Sequence, residues 1–267
     1  MFHPKGCFLP GLAACALCLA PGCDAPHEGR SPAGAFPLEL DHVLVWVAPG
    51  APEAKALEDA GLQLISETSK HVGQGTASKA FLFENAYLEL IWVDDEQAVS
   101  ANAARTGVDM GIRAGWKRSG ASPFGIGLHR TAGATRAIPF PVMDYWAEWM
   151  EPRTSIQFAR TVGNHEEPMY FVMPDSMAIP DAATLESLKK SDPAYAKMLI
   201  HRLGISKLTG VRVVAACRRV TSTGETLSEG GVSIERGEAP LMELTFDGGV
   251  KRERIDLQPQ LPLILRY

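Results

Sequence analysis

Between residues 38 and 95 short apolar runs and turn residues follow one another in an order that leaves few folds open. Residues 40–47 are rich in Leu and Val, with Pro37 before them and Pro49-Gly50 after, which predicts a largely buried strand. Residues 51–61 put Ala54, Leu57 and Ala60 on one face, with Glu53, Lys55, Glu58 and Asp59 mostly on the other and Gly61 placed as the stop. That pattern predicts a helix. Three strands are expected next, at 62–67, 78–83 and 87–93, with a turn at Glu84-Asn85 between the last two. The order is strand, helix, strand, strand, strand.

The 267 residues carry a net charge of -5 and a pI near 5.8, and no basic cluster is longer than Arg218-Arg219 or Lys251-Arg252. A nucleic-acid partner is therefore not expected. The N-terminus has a different character. Lys5 precedes an apolar stretch at 8–20, broken only by Pro10 and Gly11, and small residues follow, the pattern of a secretory signal. Cys7, Cys15, Cys18 and Cys23 all fall in or at the end of this segment, which leaves Cys217 alone in the body, without a disulfide partner. Cys23, after Leu19-Ala20-Pro21-Gly22, sits where a lipoprotein is cleaved and acylated. Leu12-Ala13-Ala14 before Cys15 is the alternative: it matches the residue pattern better, whereas Cys23 leaves a more adequate apolar stretch. Ordinary signal cleavage with a free periplasmic product, or an uncleaved N-terminal anchor, is the remaining outcome. Residues 1–23 are thus read as a signal and 24–36, with Pro26, Gly29, Pro32 and Gly34, as a flexible tether. The expected setting is the cell envelope, with the membrane reached through the lipid anchor.

Farther along, residues 94–113 carry a helical pattern with Ala98, Ala101 and Ala104 as small apolar positions and Gly107 as a break, and a linker helix is expected within 96–122. After Pro123 a strand is expected at 124–129, a short aromatic helix at 141–150, and strands at 155–161 and 168–173. Residues 181–202 form the clearest helical pattern, through Leu185, Leu188, Ala196, Leu199 and Ile200, with Pro193 splitting it and Gly204 capping it. Strands are expected at 208–216, 231–236, 241–246 and 254–257.

Leu40-Asp41-His42-Val43 opening a strand, a helix ending in Ala60-Gly61, Gly73 and Gly75 in the segment 71–76, and Tyr87-Leu88-Glu89-Leu90-Ile91 closing the unit resemble the first module of the vicinal oxygen chelate superfamily and, within it, glyoxalase-like domains. The resemblance implies an α+β fold of paired βαβββ modules whose curved mixed sheets enclose a cleft. The first module would span 37–95 and a divergent second one 123–176, with residues 177–267 as an added C-terminal helix and strands that complete or extend the second sheet, or form a third half-module.

The same resemblance implies a small-molecule ligand and metal ligands at His42 and Glu89, Glu89 doubling as the catalytic group that shuttles a proton. Imidazole and carboxylate suit a divalent Fe, Mn, Ni, Co or Zn. The second module departs from the pattern: Ile126 stands at the place of its first ligand, His129 three residues on, and residues 169–172 are apolar. His129 is the candidate third ligand, with His201 and Glu243 as further replacements. His71, Gly75 and Trp92 are expected to contact the ligand, and Tyr145, Trp146, Trp149 and Tyr170 to supply an aromatic lining. Each has a plainer reading: His42 bonded within the core, Glu89 paired with Lys79 or Arg113, the 71–76 loop only a turn, the aromatics core, Cys217 a small buried hydrophobe. Three roles remain open: a metal-dependent lyase, isomerase or dioxygenase acting on a chelating oxygenated substrate, a metal-free binding or sequestration protein, and an envelope structural protein. A homodimer is open as well.

Overall fold

A computed structural model describes residues 36–267. The expected signal, both candidate lipidation cysteines, Cys15 and Cys23, and all but the last residue of the tether lie outside the described residues. The first unit consists of β1 (Leu38–Trp46), α1 (Ala54–Ala60), β2 (Ser69–His71), β3 (Thr76–Leu82) and β4 (Tyr87–Val93). Its order is the expected one, but the second strand is not at 62–67. That segment runs beside β3 with a single bond from Ile65 N to Ala80 O, and the regular pairing belongs to the more polar Ser69–His71.

Three short helices follow instead of one linker helix: α2 (Glu96–Thr106), α3 (Met110–Ala114) and α4 (Trp116–Ser119). Asp95 caps α2 by accepting from Ala98 N, and Gly107, at φ 76, ends it in a left-handed conformation that glycine adopts without strain. The second unit is β5 (Phe124–Arg130), β6 (Val142–Tyr145), β7 (Ile156–Ala159) and β8 (Met169–Val172). It has no helix between its first two strands; the aromatic stretch expected to be helical starts as β6, paired with β7, and then turns. The eight strands form one mixed sheet in the order β2-β3-β4-β1-β5-β8-β7-β6, so the two units repeat the same internal order outward from an antiparallel β1–β5 seam.

Beyond α5 (Ala182–Ser191) and α6 (Pro193–Met198), separated at Pro193 as expected, come β9 (Leu208–Ala215), α7 (Ser222–Thr226), β10 (Val232–Arg236), β11 (Leu241–Phe246), β12 (Arg254–Asp256) and β13 (Leu263–Arg266). These strands neither complete nor extend the second unit's sheet. They build one of their own, in the order β10-β9-β11-β13-β12. The two sheets share a core. Alternation along β1 sends Val43 and Val45 into it, against Val213, Leu244 and Leu265, and sends Leu44 and Trp46 to the opposite face, among Phe158 and Phe171. Both faces of the first sheet are thus covered, which is why β1 reads as a continuous apolar run. No helix among the described residues is long and apolar enough to cross a membrane.

Arg113, fully buried at the end of α3, ties the linker to the second unit through four backbone carbonyls. Its Nη1 donates to Glu167 O (2.7 Å) and Ser122 O (3.4 Å), and its Nη2 to Asn164 O (3.2 Å) and Val162 O (3.3 Å). Burial lowers its pKa to about 10, which leaves the guanidinium charged at neutral pH. It does not pair with Glu89. His201, offered above as a replacement ligand, is a second internal tie: Nδ1 accepts from Gln63 N (2.9 Å) and Nε2 donates to Leu82 O (3.0 Å), with burial lowering its pKa.

Candidate functional site

The second face of the first sheet, together with residues before and within the helical segment after β8, encloses a cavity of about 330 Å3. Most of its wall is apolar and pliable, with Met110, Met169, Met173, Met177 and Met198 beside Phe158 and Phe171. Glu67, Ser69, Lys70, Gln74 and Ser78 add polar lining, and one cluster of titratable groups forms a polar pole. His42 on β1, Glu89 on β4 and His71 on β2 all line the cavity.

The geometry of this pole follows from strand register. Along β4, Tyr87, Glu89 and Ile91 alternate with Leu88, Leu90 and Trp92, so a cavity-facing Glu89 places Trp92 on the opposite side, in the core between the sheets. Trp92 therefore does not contact a ligand. On β1 the pairing with β5 shifts between Leu40 and His42, and Asp41 is the extra residue. The fully buried Asp41 then reaches back to His42: its Oδ1 lies 2.6 Å from Nδ1, and its Oδ2 accepts from Ile179 N at 2.8 Å. A carboxylate only accepts, so Nδ1 donates to it and Nε2 is the ring nitrogen left on the side of Glu89. The ring is stacked on Tyr87 at 4.2 Å between centroids and lies 5.2 Å from that of Phe171. Burial and the neighbouring Asp41 and Glu89 raise the Tyr87 pKa well above its ordinary value, so the phenol keeps its proton.

His42 Nε2 is 3.9 Å from Glu89 Oε2, and His71 Nε2 is 4.0 Å from Glu89 Oε1. Two imidazoles thus flank the two oxygens of one carboxylate. His71 Nδ1 is 2.8 Å from Thr76 Oγ1, which also accepts from Gln74 Nε2 at 2.7 Å, and its ring lies 4.8 Å from that of Trp149. Burial, more than the opposing effect of Glu89, lowers the His71 pKa and favours the neutral ring. Trp149 lines the cavity and donates from Nε1 to Gln74 Oε1 at 3.2 Å.

The remaining candidates do not join this pole. His129 lies behind it, with Nδ1 3.6 Å from Asp41 Oδ2 and Nε2 3.7 Å from Glu39 Oε2. Gly75 is where the loop meets α2: at φ 81, an added Cβ would lie 2.5 Å from Val99 N, so this glycine serves packing and not ligand contact. Glu243 sits on the second sheet, paired with Arg212 and Arg266. Tyr145 is buried with its hydroxyl 2.9 Å from Gln74 Oε1, Trp146 is exposed, and Tyr170 donates to the buried Glu167 at 2.9 Å. Cys217 is buried, with its pKa raised mainly by that burial. Asp41, Tyr87 and Gly127 are the site residues that the sequence reading missed. Gly127 faces His42 across β1–β5, where a Cβ would meet the imidazole at 2.5 Å.

Residues 40–139, from the first strand through the linker helices and β5, match a family described as a glyoxalase-like domain. Over these residues the chain is similar to a glyoxalase-like domain. The resemblance carried by Leu40–Val43 and Tyr87–Ile91 is borne out, and so is the α+β fold class. Among solved structures, the chain is similar to a hypothetical protein from Staphylococcus aureus, with 12% identity, a TM-score of 0.51, and coverage of 86% of this chain and 98% of the other. A likeness at that identity concerns the fold alone. A mutant of 4-hydroxymandelate synthase from Streptomyces coelicolor aligns at 13% identity over 86% of this chain and 62% of its own, but its TM-score of 0.30 is too low to support an inference. No curated protein matches the chain.

Glyoxalase-like proteins commonly use a divalent metal, and the domain's residues can be tested against one. His42 and Glu89 stand where the resemblance puts the first module's ligands. In the second module Ile126 faces the core between the sheets, Gly127 offers no side chain, and Met169 and Phe171 face the cavity. Among the described residues, no group of three or more His, Cys, Asp or Glu side chains is placed to hold an ion. The residues do not fit a four-ligand centre shared between two modules.

Proposed function

We propose that the glyoxalase-like cleft takes up a small, mainly apolar molecule and holds its oxygenated end at His42, His71 and Glu89 without a bound metal. The observation that supports this most is the cavity's polarity: one pole of two imidazoles and a carboxylate, set in a wall of methionine and aromatic side chains. The pliable methionines suit an apolar body of variable shape, and the volume falls at the small end of the roughly 300–1,000 Å3 usual for ligand pockets. At the pole, His42 Nε2 accepts from a hydroxyl of the ligand. Glu89 stands within reach of both imidazoles and is the group we assign to proton transfer should the ligand be turned over.

A second reading, metal-dependent turnover of a chelating substrate by a lyase, isomerase or dioxygenase, is favoured by one observation. Asp41 fixes the His42 tautomer in the way that carboxylates orient metal-bound imidazoles. We further propose, from the N-terminal sequence, that the domain is exported and tethered at the cell envelope through Cys23.

The binding proposal is tested by following tryptophan fluorescence against a panel of benzoate, 4-hydroxyphenylacetate, catechol and octanoate, with Trp149→Phe to assign the response. At least one compound is expected to quench Trp149, and His42→Ala or Glu89→Gln to weaken its binding about tenfold, near 1.4 kcal/mol. No binding by any of them, or binding that neither substitution changes, would contradict the proposal.

A further inference from the structure

A second and larger cavity, of about 620 Å3, lies at the other end of β1 and β4, between the loop that precedes α1, the α2–α4 segment and the loop at Gln260–Pro262. It shares the cleft face of β1, where Trp46 follows His42 by four residues, but none of its lining residues belongs to the cleft. Its polar equipment is incomplete. Trp46 is 1% exposed, yet among the described residues its Nε1 donor has no partner, and Glu53 Oε2, also buried, has none either. Both residues line this cavity. A buried donor or acceptor left unmatched costs about 1–3 kcal/mol, so two of them on one cavity wall point to something that completes them.

The charges agree. Glu53, Glu96, Lys117 and Arg118 all line the same cavity, and among the described residues none of the four forms an ion pair, with one another or elsewhere. Glu53 uses only Oε1, to accept from Ala48 N at 3.1 Å, and Lys117 rests 5.3 Å from the centre of the Trp116 ring. Two acids and two bases, unpaired around one space, match a ligand that carries both signs of charge. Between them, Val93, Val99 and Leu261 offer apolar surface.

We propose that this cavity is a binding site for a small zwitterion of the α-amino-acid class. The ammonium group lies against Glu53 Oε2 and Glu96, the carboxylate takes Trp46 N–H with Lys117 and Arg118, and the side chain packs on the valines and Leu261. A simple anion would leave Glu53 unmatched, and a simple amine would leave Trp46 and the two cations unmatched.

Thermal-shift and calorimetric titration of the protein with each proteinogenic L-amino acid tests this, with sodium acetate and methylamine hydrochloride as one-ended controls. At least one amino acid is expected to raise the melting temperature by several degrees and to exceed both controls. Glu53→Gln, and separately the double replacement of Lys117→Ala with Arg118→Ala, should each weaken its binding tenfold or more, whereas His42→Ala should leave it unchanged. Lys117 and Arg118 are exposed, so the double variant remains informative if Glu53→Gln folds poorly. Absence of a response to any amino acid, a response matched by acetate or methylamine alone, or one that survives in both variants would overturn the assignment.

Discussion

Arg113→Met is expected to destabilise the protein by about 4 kcal/mol or more, the largest effect of any single change outside the cleft. Methionine fills much of the volume but carries no donor, and it strands the carbonyls of Ser122, Val162, Asn164 and Glu167 in a site closed to water. Each stranded group costs about 1–3 kcal/mol, and relaxation of the loop recovers only part of the sum. Arg113→Lys should fall between wild type and Met, since an ammonium on a shorter stem cannot serve carbonyls spread around a planar fork. Urea denaturation monitored by circular dichroism gives the comparison. A loss under about 1 kcal/mol for Arg113→Met would mean that the carbonyls find other partners.

Gly127→Ala should disable the cleft while leaving every side chain of the polar pole in the sequence. The new methyl group would lie 2.5 Å from His42 Cε1, 2.7 Å from Nδ1 and 2.9 Å from Nε2, closer than atoms approach. The ring cannot simply slide, because Tyr87 is stacked on it, Phe171 is close and Asp41 holds Nδ1. It must leave its rotamer and lose the Asp41 bond. A loss of ligand affinity of tenfold or more is expected, with a stability cost of about 1–3 kcal/mol from overpacking. Gly125→Ala is the matched control. Its methyl group meets the aliphatic side chain of Leu44 at 2.7 Å, so it should cost comparable stability but leave His42 in place and ligand binding within a few-fold of wild type. Equal loss of binding in the two variants would show that the effect is general disruption of the seam.

What was legible in the sequence was whatever depended on local pattern. The buried first strand, the capped helix, β4 and the β3–β4 turn all follow from apolar periodicity and turn residues, and His42 and Glu89 share the cavity as the resemblance implies. What failed depended on pairing. Ser69–His71 has no apolar signature, and its strand exists only because β3 offers an edge, whereas residues 62–67 look like a strand and pair at one position only. The aromatic stretch beginning at Val142 is pulled into the sheet by β7. Trp92 was within reach of simple arithmetic: three residues from Glu89 on one strand puts it on the other face. The Asp41 bulge was not, since a register shift is a relation between β1 and β5 and leaves no mark on either alone. The same holds for Gly127, whose missing side chain matters only because His42 lies across from it.

Elemental analysis of the protein purified without chelator, followed by dialysis against EDTA, tests whether the cleft works through His42, His71 and Glu89 without a four-ligand metal centre. Well under one equivalent of Fe, Mn, Ni, Co or Zn is expected, with ligand binding and melting temperature unchanged by EDTA. Near-stoichiometric metal that is lost in both His42→Ala and Glu89→Ala, with binding abolished by EDTA, would contradict it and establish the metal-dependent reading instead.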